Sequence, residues 1–258
     1  VFDAAGRQRF WVDREGVITE SRYSGQGLVI ESITYATALD TQSLSSALGP
    51  DLSAAEAFSV VTDAVVVDDE KDRSIRYRYD GNRNLIEIVD GENFSKSYTY
   101  DAFQNNIQTI QDASEVINRV VHNVYDKNNR LTHTVDGEGY IIRYSFDQFN
   151  NVVSQTSYAV AYTGADYTAS ALDAFVASGN ADDQTTYYFY DALNRVEKTI
   201  DAEGYLNVNR YDGVDNLIES TRYSSQLATS QINSAVAVGD AARSCGVDQG
   251  GLSCACAR

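Results

Sequence analysis

The chain has 258 residues, 43% of them hydrophobic, enough to bury the core of one large domain or two ordinary ones. Twenty basic residues against 37 acidic ones give a net charge of −17, which repels nucleic-acid backbones and anionic membrane surfaces. No run approaches the roughly 18 apolar residues a membrane-spanning helix needs, and no basic segment followed by an apolar one opens the chain, so neither nucleic-acid binding nor membrane insertion is expected.

Methionine is absent and the chain opens inside a repeated phrase, "VFDAAGRQRF", so it is read as a piece of a longer protein. Residues 1–39 are a first run of repeats. Phe2-Asp3 opens a unit, Gly6 follows three residues after the aspartate, and a second aspartate, Asp13, is followed three residues later by Gly16. Tyr23 heads the next copy 21 residues after Phe2 but lacks the aspartate. Residues 40–74 break the rhythm with a helical insertion and an acidic linker. In "SAAE", Ser53 is placed to cap a helix, with Glu56 returning the bond.

Residues 75–161 resume the repeats at Tyr79-Asp80, Tyr100-Asp101, Tyr125-Asp126 and Phe146-Asp147, with second aspartates at Asp90, Asp112 and Asp136 and a turn glycine at Gly139. An Ala-rich helical insertion, residues 162–186, stops at Gly179. Residues 187–225 carry Tyr190-Asp191, Asp201, Gly204 and Tyr211-Asp212. Residues 226–258 combine a weaker helical insertion with an irregular tail in which Cys245, Cys254 and Cys256 crowd together. With neither a histidine nor a fourth cysteine nearby, they suit a cross-link or an unstructured end better than zinc. The insertions follow Tyr35, Tyr158 and Tyr223, as though decorating one type of hairpin, and are expected to cover a sheet edge or an end of the strip.

Turn chemistry explains which residues recur. Three residues after the first aspartate stand Gly6, Asn129, Asn150, Asn194 and Asp215, types that accept a left-handed backbone, with Arg83 the exception. After the second come Gly16, Asn93, Gly139 and Gly204. Between turns, "RVEKTI", "YLNVNRY" and "YIIRYSF" alternate β-branched and aromatic residues with polar ones and read as short strands. The expected fold is mostly β: tandem antiparallel hairpins forming a continuous curved or spiralling sheet, with short helical insertions. One hairpin cannot bury its apolar face alone, but stacked copies share it.

The units "YDALNRVEKTIDAEGY", "YDKNNRLTHTVDGEGY" and "FDAAGRQRFWVDREGV" resemble the RHS or YD repeats of bacterial polymorphic toxins, of the cocoon-forming components of Tc insecticidal toxin complexes and of the animal teneurins. The resemblance runs from residue 1 to about 224, interrupted at the insertions. The chain departs from the family's preferred first-turn glycine, using Asn or Asp in four units. The resemblance implies a strip of hairpins spiralling into a hollow shell, often around a C-terminal toxin. The family's aspartyl autoprotease motif has no counterpart here: the sole proline is Pro50, and no Asp-Pro-x-Gly string exists.

Catalysis and metal binding find little support. The acid clusters Asp68, Asp69, Glu70 and Asp72, and Asp182-Asp183, could form general acid-base pairs but read as solvated loops between repeat blocks. His122 and His133 fall on separate strands and read as surface or cross-strand packing residues. "DGEGY" and "DAEGY" lack the ligand spacing of calcium loops. No cofactor is expected. Two functions fit: a structural segment of a large secreted or cell-surface protein, whose partners are its adjacent repeats, an enclosed toxin cargo or neighbouring copies; or a tyrosine-rich module that binds a glycan or a protein.

Overall fold

A computed structural model describes residues 1–49, 52–112, 118–239, 246–248 and 251–253. Pro50, Cys245, Cys254 and Cys256 lie outside the described residues. The chain divides into two compact units, Val1–Val120 and Val121–Arg258.

The first unit holds β1 (Phe10–Val12), β2 (Ile18–Tyr23), β3 (Val29–Thr34), α1 (Thr41–Ala47), α2 (Ala54–Ala64), β4 (Arg73–Tyr79), β5 (Leu85–Asp90), β6 (Ser95–Tyr100) and β7 (Asn106–Asp112). The second takes up within β8 (Asn118–Tyr125) and continues with β9 (Leu131–Val135), β10 (Ile141–Phe146), β11 (Val152–Ser157), α3 (Ala169–Val176), β12 (Gln184–Tyr190), β13 (Val196–Ile200), β14 (Tyr205–Tyr211), β15 (Leu217–Gln226) and α4 (Thr229–Gly239). A separate short hairpin pairs β16 (Gly246–Asp248) with β17 (Gly251–Ser253). Within each unit the strands lie in chain order, and their pairings are antiparallel. This is the hairpin-repeat sheet expected from the sequence, carrying a few short helices.

Two kinds of turn alternate along the sheet. Beside each aromatic that heads a first turn the strand register slips by one residue, at Tyr23, Tyr79, Tyr100, Tyr125, Phe146, Tyr190 and Tyr211. Such a slip bends the strand and sharpens its twist. The second turns close without one: Val12 pairs with Ile18, Val89 with Ser95, Val135 with Ile141 and Ile200 with Leu206.

Three separate cores form where helices fold back onto such pairs. Phe10, Ile18, Tyr35, Leu44 and Val61 bury one. Val135, Ile141 and Leu172 bury the second, and Ile200, Leu206 and Ala235 the third. The insertions thus lie on a face of the sheet, over a second-turn hairpin, rather than along an edge. Their ends follow local rules: Asp40 accepts from Gln42 N and Ser43 N, Ser53 and Glu56 form a reciprocal capping box, and Thr168 accepts from Ala171 N.

Candidate functional site: aspartate turns and helical straps

The repeat residues are distributed turn by turn rather than gathered into one pocket. At each first turn that carries an aspartate, one of its oxygens accepts two backbone amides, from the residues two and four positions on. Asp3 Oδ1 takes Ala5 N and Arg7 N, both at 2.9 Å. Asp80, Asp101, Asp126, Asp147, Asp191 and Asp212 repeat the arrangement. The second-turn aspartates Asp13, Asp90, Asp136 and Asp201 do the same. Three residues after each, the chain crosses into positive φ: Gly6, Asn129, Asn150, Asn194 and Asp215 at first turns, Gly16, Asn93, Gly139 and Gly204 at second turns. Arg83, the exception by residue type, adopts the same conformation at φ 69°, as does Gln104 at 68°.

The unit headed by Tyr23 makes the turn without an aspartate. Ser24 Oγ accepts from Gln26 N at 3.3 Å and Leu28 N at 3.2 Å, longer bonds to the same two positions, and Gly27 supplies the positive φ of 80°.

At the first turns the second carboxylate oxygen is also engaged, always by the side chain four residues on. That residue is Asn84, Asn105, Asn151 or Asn216, or else Arg7, Arg130 or Arg195. These bonds favour the ionised form. The Arg7, Asn84, Asn105 and Asn216 side chains hold Asp3, Asp80, Asp101 and Asp212 below the usual carboxylate range. At Asp126, Asp147 and Asp191 partial burial pushes upward, and the same hydrogen bonds outweigh it to give a net lowering.

The arginines also tie one turn to the next. Arg195 bonds Asp191, reaches the carbonyl of Asp212 at 3.2 Å and the carboxylate of Asp215 at 2.7 Å, and lies 4.6 Å from the centre of the Tyr211 ring. Arg7 and Arg130 reach the next turns in the same way, over Tyr23 and Phe146. In the opposite direction the heading tyrosines reach back: Tyr23, Tyr100 and Tyr211 donate to the carbonyls of Gln8, Leu85 and Val196, each 15 residues earlier. Tyr190 donates to Val152 across 38 residues, spanning an insertion without changing the contact.

The insertions dock as straps. Gly16, Gly139 and Gly204 offer their carbonyls to Leu39 N, Tyr162 N and Leu227 N at 2.8 to 2.9 Å, in each case 23 residues downstream. The contact is close: a Cβ on Gly16 would collide with the Leu39 carbonyl oxygen, and one on Gly139 would stand 2.5 Å from that of Tyr162. Among the described residues, the second turn with no strap has Asn93 where these have glycine, and Val89 opposite Ser95 where the strapped hairpins pair two apolar residues.

The acid clusters, expected to be solvated loops, supply two structural clasps. Asp72 accepts from Ala36 N and Asp68 N, both at 2.8 Å. Asp183 accepts from Ala159 N at 2.9 Å and Asn180 N at 2.7 Å. Each closes the base of its insertion, while Asp69, Glu70 and Asp182 are exposed. His133 is 2% exposed beneath α3, and His122 stacks on Tyr167. Among the described residues no group of three His, Cys, Asp or Glu stands close enough to hold a metal ion. The most buried carboxylate, Glu20 at 5% exposure, is saturated by Arg9, Arg22 and Tyr35, whose phenol is pushed up to about 12 by burial and by Glu20.

Residues 125–160 match the family model of the RHS repeat. That stretch is an RHS repeat. Its fold is similar to the crystal structure of TcdB2-TccC3-Cdc42, with a TM-score of 0.58 and 14% identity, over 83% of this chain and 9% of that one. TcdB2-TccC3 without its hypervariable C-terminal region gives a TM-score of 0.58 and 13% identity over the same shares. The chain thus spans about a tenth of the length of these solved chains. No curated protein matches it.

Sequence reasoning missed four components of the turns and straps. These are Ser24 standing in for aspartate, the connecting arginines, the aspartate clasps, and the glycine carbonyl that seats each strap. Arg7, Arg130 and Arg195, each four residues past a turn aspartate, were the legible signal for the second.

Proposed function

We propose that this chain is a length of wall in a large secreted or cell-surface RHS-repeat protein, part of a hairpin shell that encloses or presents a toxin or other cargo. The observation that carries this reading is where its polar chemistry is spent. Turn carboxylates are satisfied within their own turns, and connecting arginines and heading tyrosines by the neighbouring repeat, which is what a load-sharing sheet requires and what an active site avoids. The likeness in fold to TcdB2-TccC3, and the small share of those chains that is covered, support a segment of a larger assembly. No helix among the described residues is long and apolar enough to cross a membrane.

The glycan- or protein-binding reading draws less support, because the hydroxyls of Tyr23, Tyr100, Tyr190 and Tyr211 are committed to main-chain carbonyls. Electron microscopy of the full-length parent protein tests the proposal. A closed hollow particle with internal density is expected; a solid rod or an open filament would refute enclosure.

A further inference from the structure

The chain has two histidines, and both lie under the same strap. They stand on β8 and β9, where His122 pairs with Val135 and His133 with Val124, so both rings rise from the face that α3 covers. The His133 Nδ1 is 3.1 Å from Thr132 Oγ1, but its Nε2 is buried without a hydrogen bond. Asp173 of α3 comes within 3.3 Å of that nitrogen, and the same Asp173 oxygen is 3.0 Å from Arg143 Nε on β10. His122 is covered by the ring of Tyr167, with centroids 3.6 Å apart and planes within 9°. Tyr167 in turn packs edge-on against Tyr162.

The charges facing the buried imidazole already balance. Asp173 and Arg143 neutralise one another, and Tyr158, packed in the same cluster beside them, is uncharged, its phenol raised by burial. A proton on His133 would leave an uncompensated cation in a dehydrated layer, which is costly. Burial accordingly holds both imidazoles below the ordinary histidine range; at His133, Asp173 pulls upward and Arg143 pushes down.

The arrangement differs from that under α2. Seven residues past the turn aspartate, where this hairpin has His133, the α2 hairpin has Phe10, packed against Phe58. We propose that α3 is an acid-released strap: protonation of His133 and His122 undocks it from β9 and β10, while α2 stays seated. A lowered folded-state value means the neutral ring belongs to the docked state. Docking is therefore complete above about pH 6.5, the free-histidine value, and weakens as pH falls below it.

Hydrogen exchange of the whole chain, read by mass spectrometry at pH 7.5 and 5.5 and corrected for intrinsic rates, tests this. Protection of 169–176 is expected to fall several-fold at the lower pH, while that of 54–64 holds. The double variant His122→Phe/His133→Phe, whose second change copies Phe10, should abolish the response. Unchanged protection of 169–176, or equal losses in both helices, would overturn the proposal. Should the variant fail to fold, NMR titration of the imidazole C2 protons in the unaltered protein decides: midpoints below that of free histidine support it, and midpoints at or above it refute it.

Discussion

Asn93 and Gly139 sit at the same point of the same turn, at φ 64° and 93°, yet they are not interchangeable. Asparagine tolerates the left-handed backbone, so conformation alone would permit it at either place. What separates them is the strap, whose Tyr162 carbonyl fills the space a Cβ needs at Gly139. Gly139→Asn is therefore expected to destabilise the protein by about 1–3 kcal/mol, a cost in the range of local backbone strain. Gly204→Asn should cost less, because the nearest strap atom there is 3.4 Å from the added carbon. Equilibrium denaturation of the two variants measures the difference, and equal losses would reduce the glycine to a turn former. The conformational half of this role was legible in the residue types; the steric half was not, because it depends on a carbonyl 23 residues away.

The strap is the element in which local and distant signals meet. Leu172 is fully buried on α3, against Val135 and Ile141. Truncating it to alanine is expected to cost about 2–5 kcal/mol, the range for a buried leucine that leaves a cavity. The helix should loosen first, visible as amide exchange in 169–176 that outpaces exchange in β9. Helix existence and caps were readable from "SAAE" and from the Ala-rich run ending near Gly179, since capping is local chemistry. The docking face was not readable from the insertion alone. It is encoded in the hairpin beneath, as a glycine at the second turn together with an apolar pair flanking it. Each half of that signal is too common to single out before the register is known.

Across the molecule, the same ionised group is used again and again. Asp3, Asp80, Asp101, Asp126, Asp147, Asp191 and Asp212 all have lowered values, each for the same reason. A depressed carboxylate stabilises the fold fully above its unfolded value, near 3.9, and loses that contribution as pH falls through the folded one. Acid unfolding should therefore be steep below about pH 4, taking up several protons together, at lower pH than the onset of the histidine response. Proton uptake measured across the acid transition checks this; uptake of a single proton would contradict it. The tandem period made this collective behaviour legible from the start, because a hairpin that repeats its aspartate repeats its titration. The arginine and tyrosine links between turns were hidden because they join residues whose proximity exists only after the strands pair.

The two clasped insertions differ in length while their fastenings do not. Asp72 closes back onto Ala36 over 36 residues and Asp183 onto Ala159 over 24, and β4 and β12 each take up pairing at the next residue. The sheet is indifferent to how much polypeptide loops out between clasp and anchor. Such a site is a natural socket, where lineages or engineers could splice in foreign modules without disturbing the weave on either side.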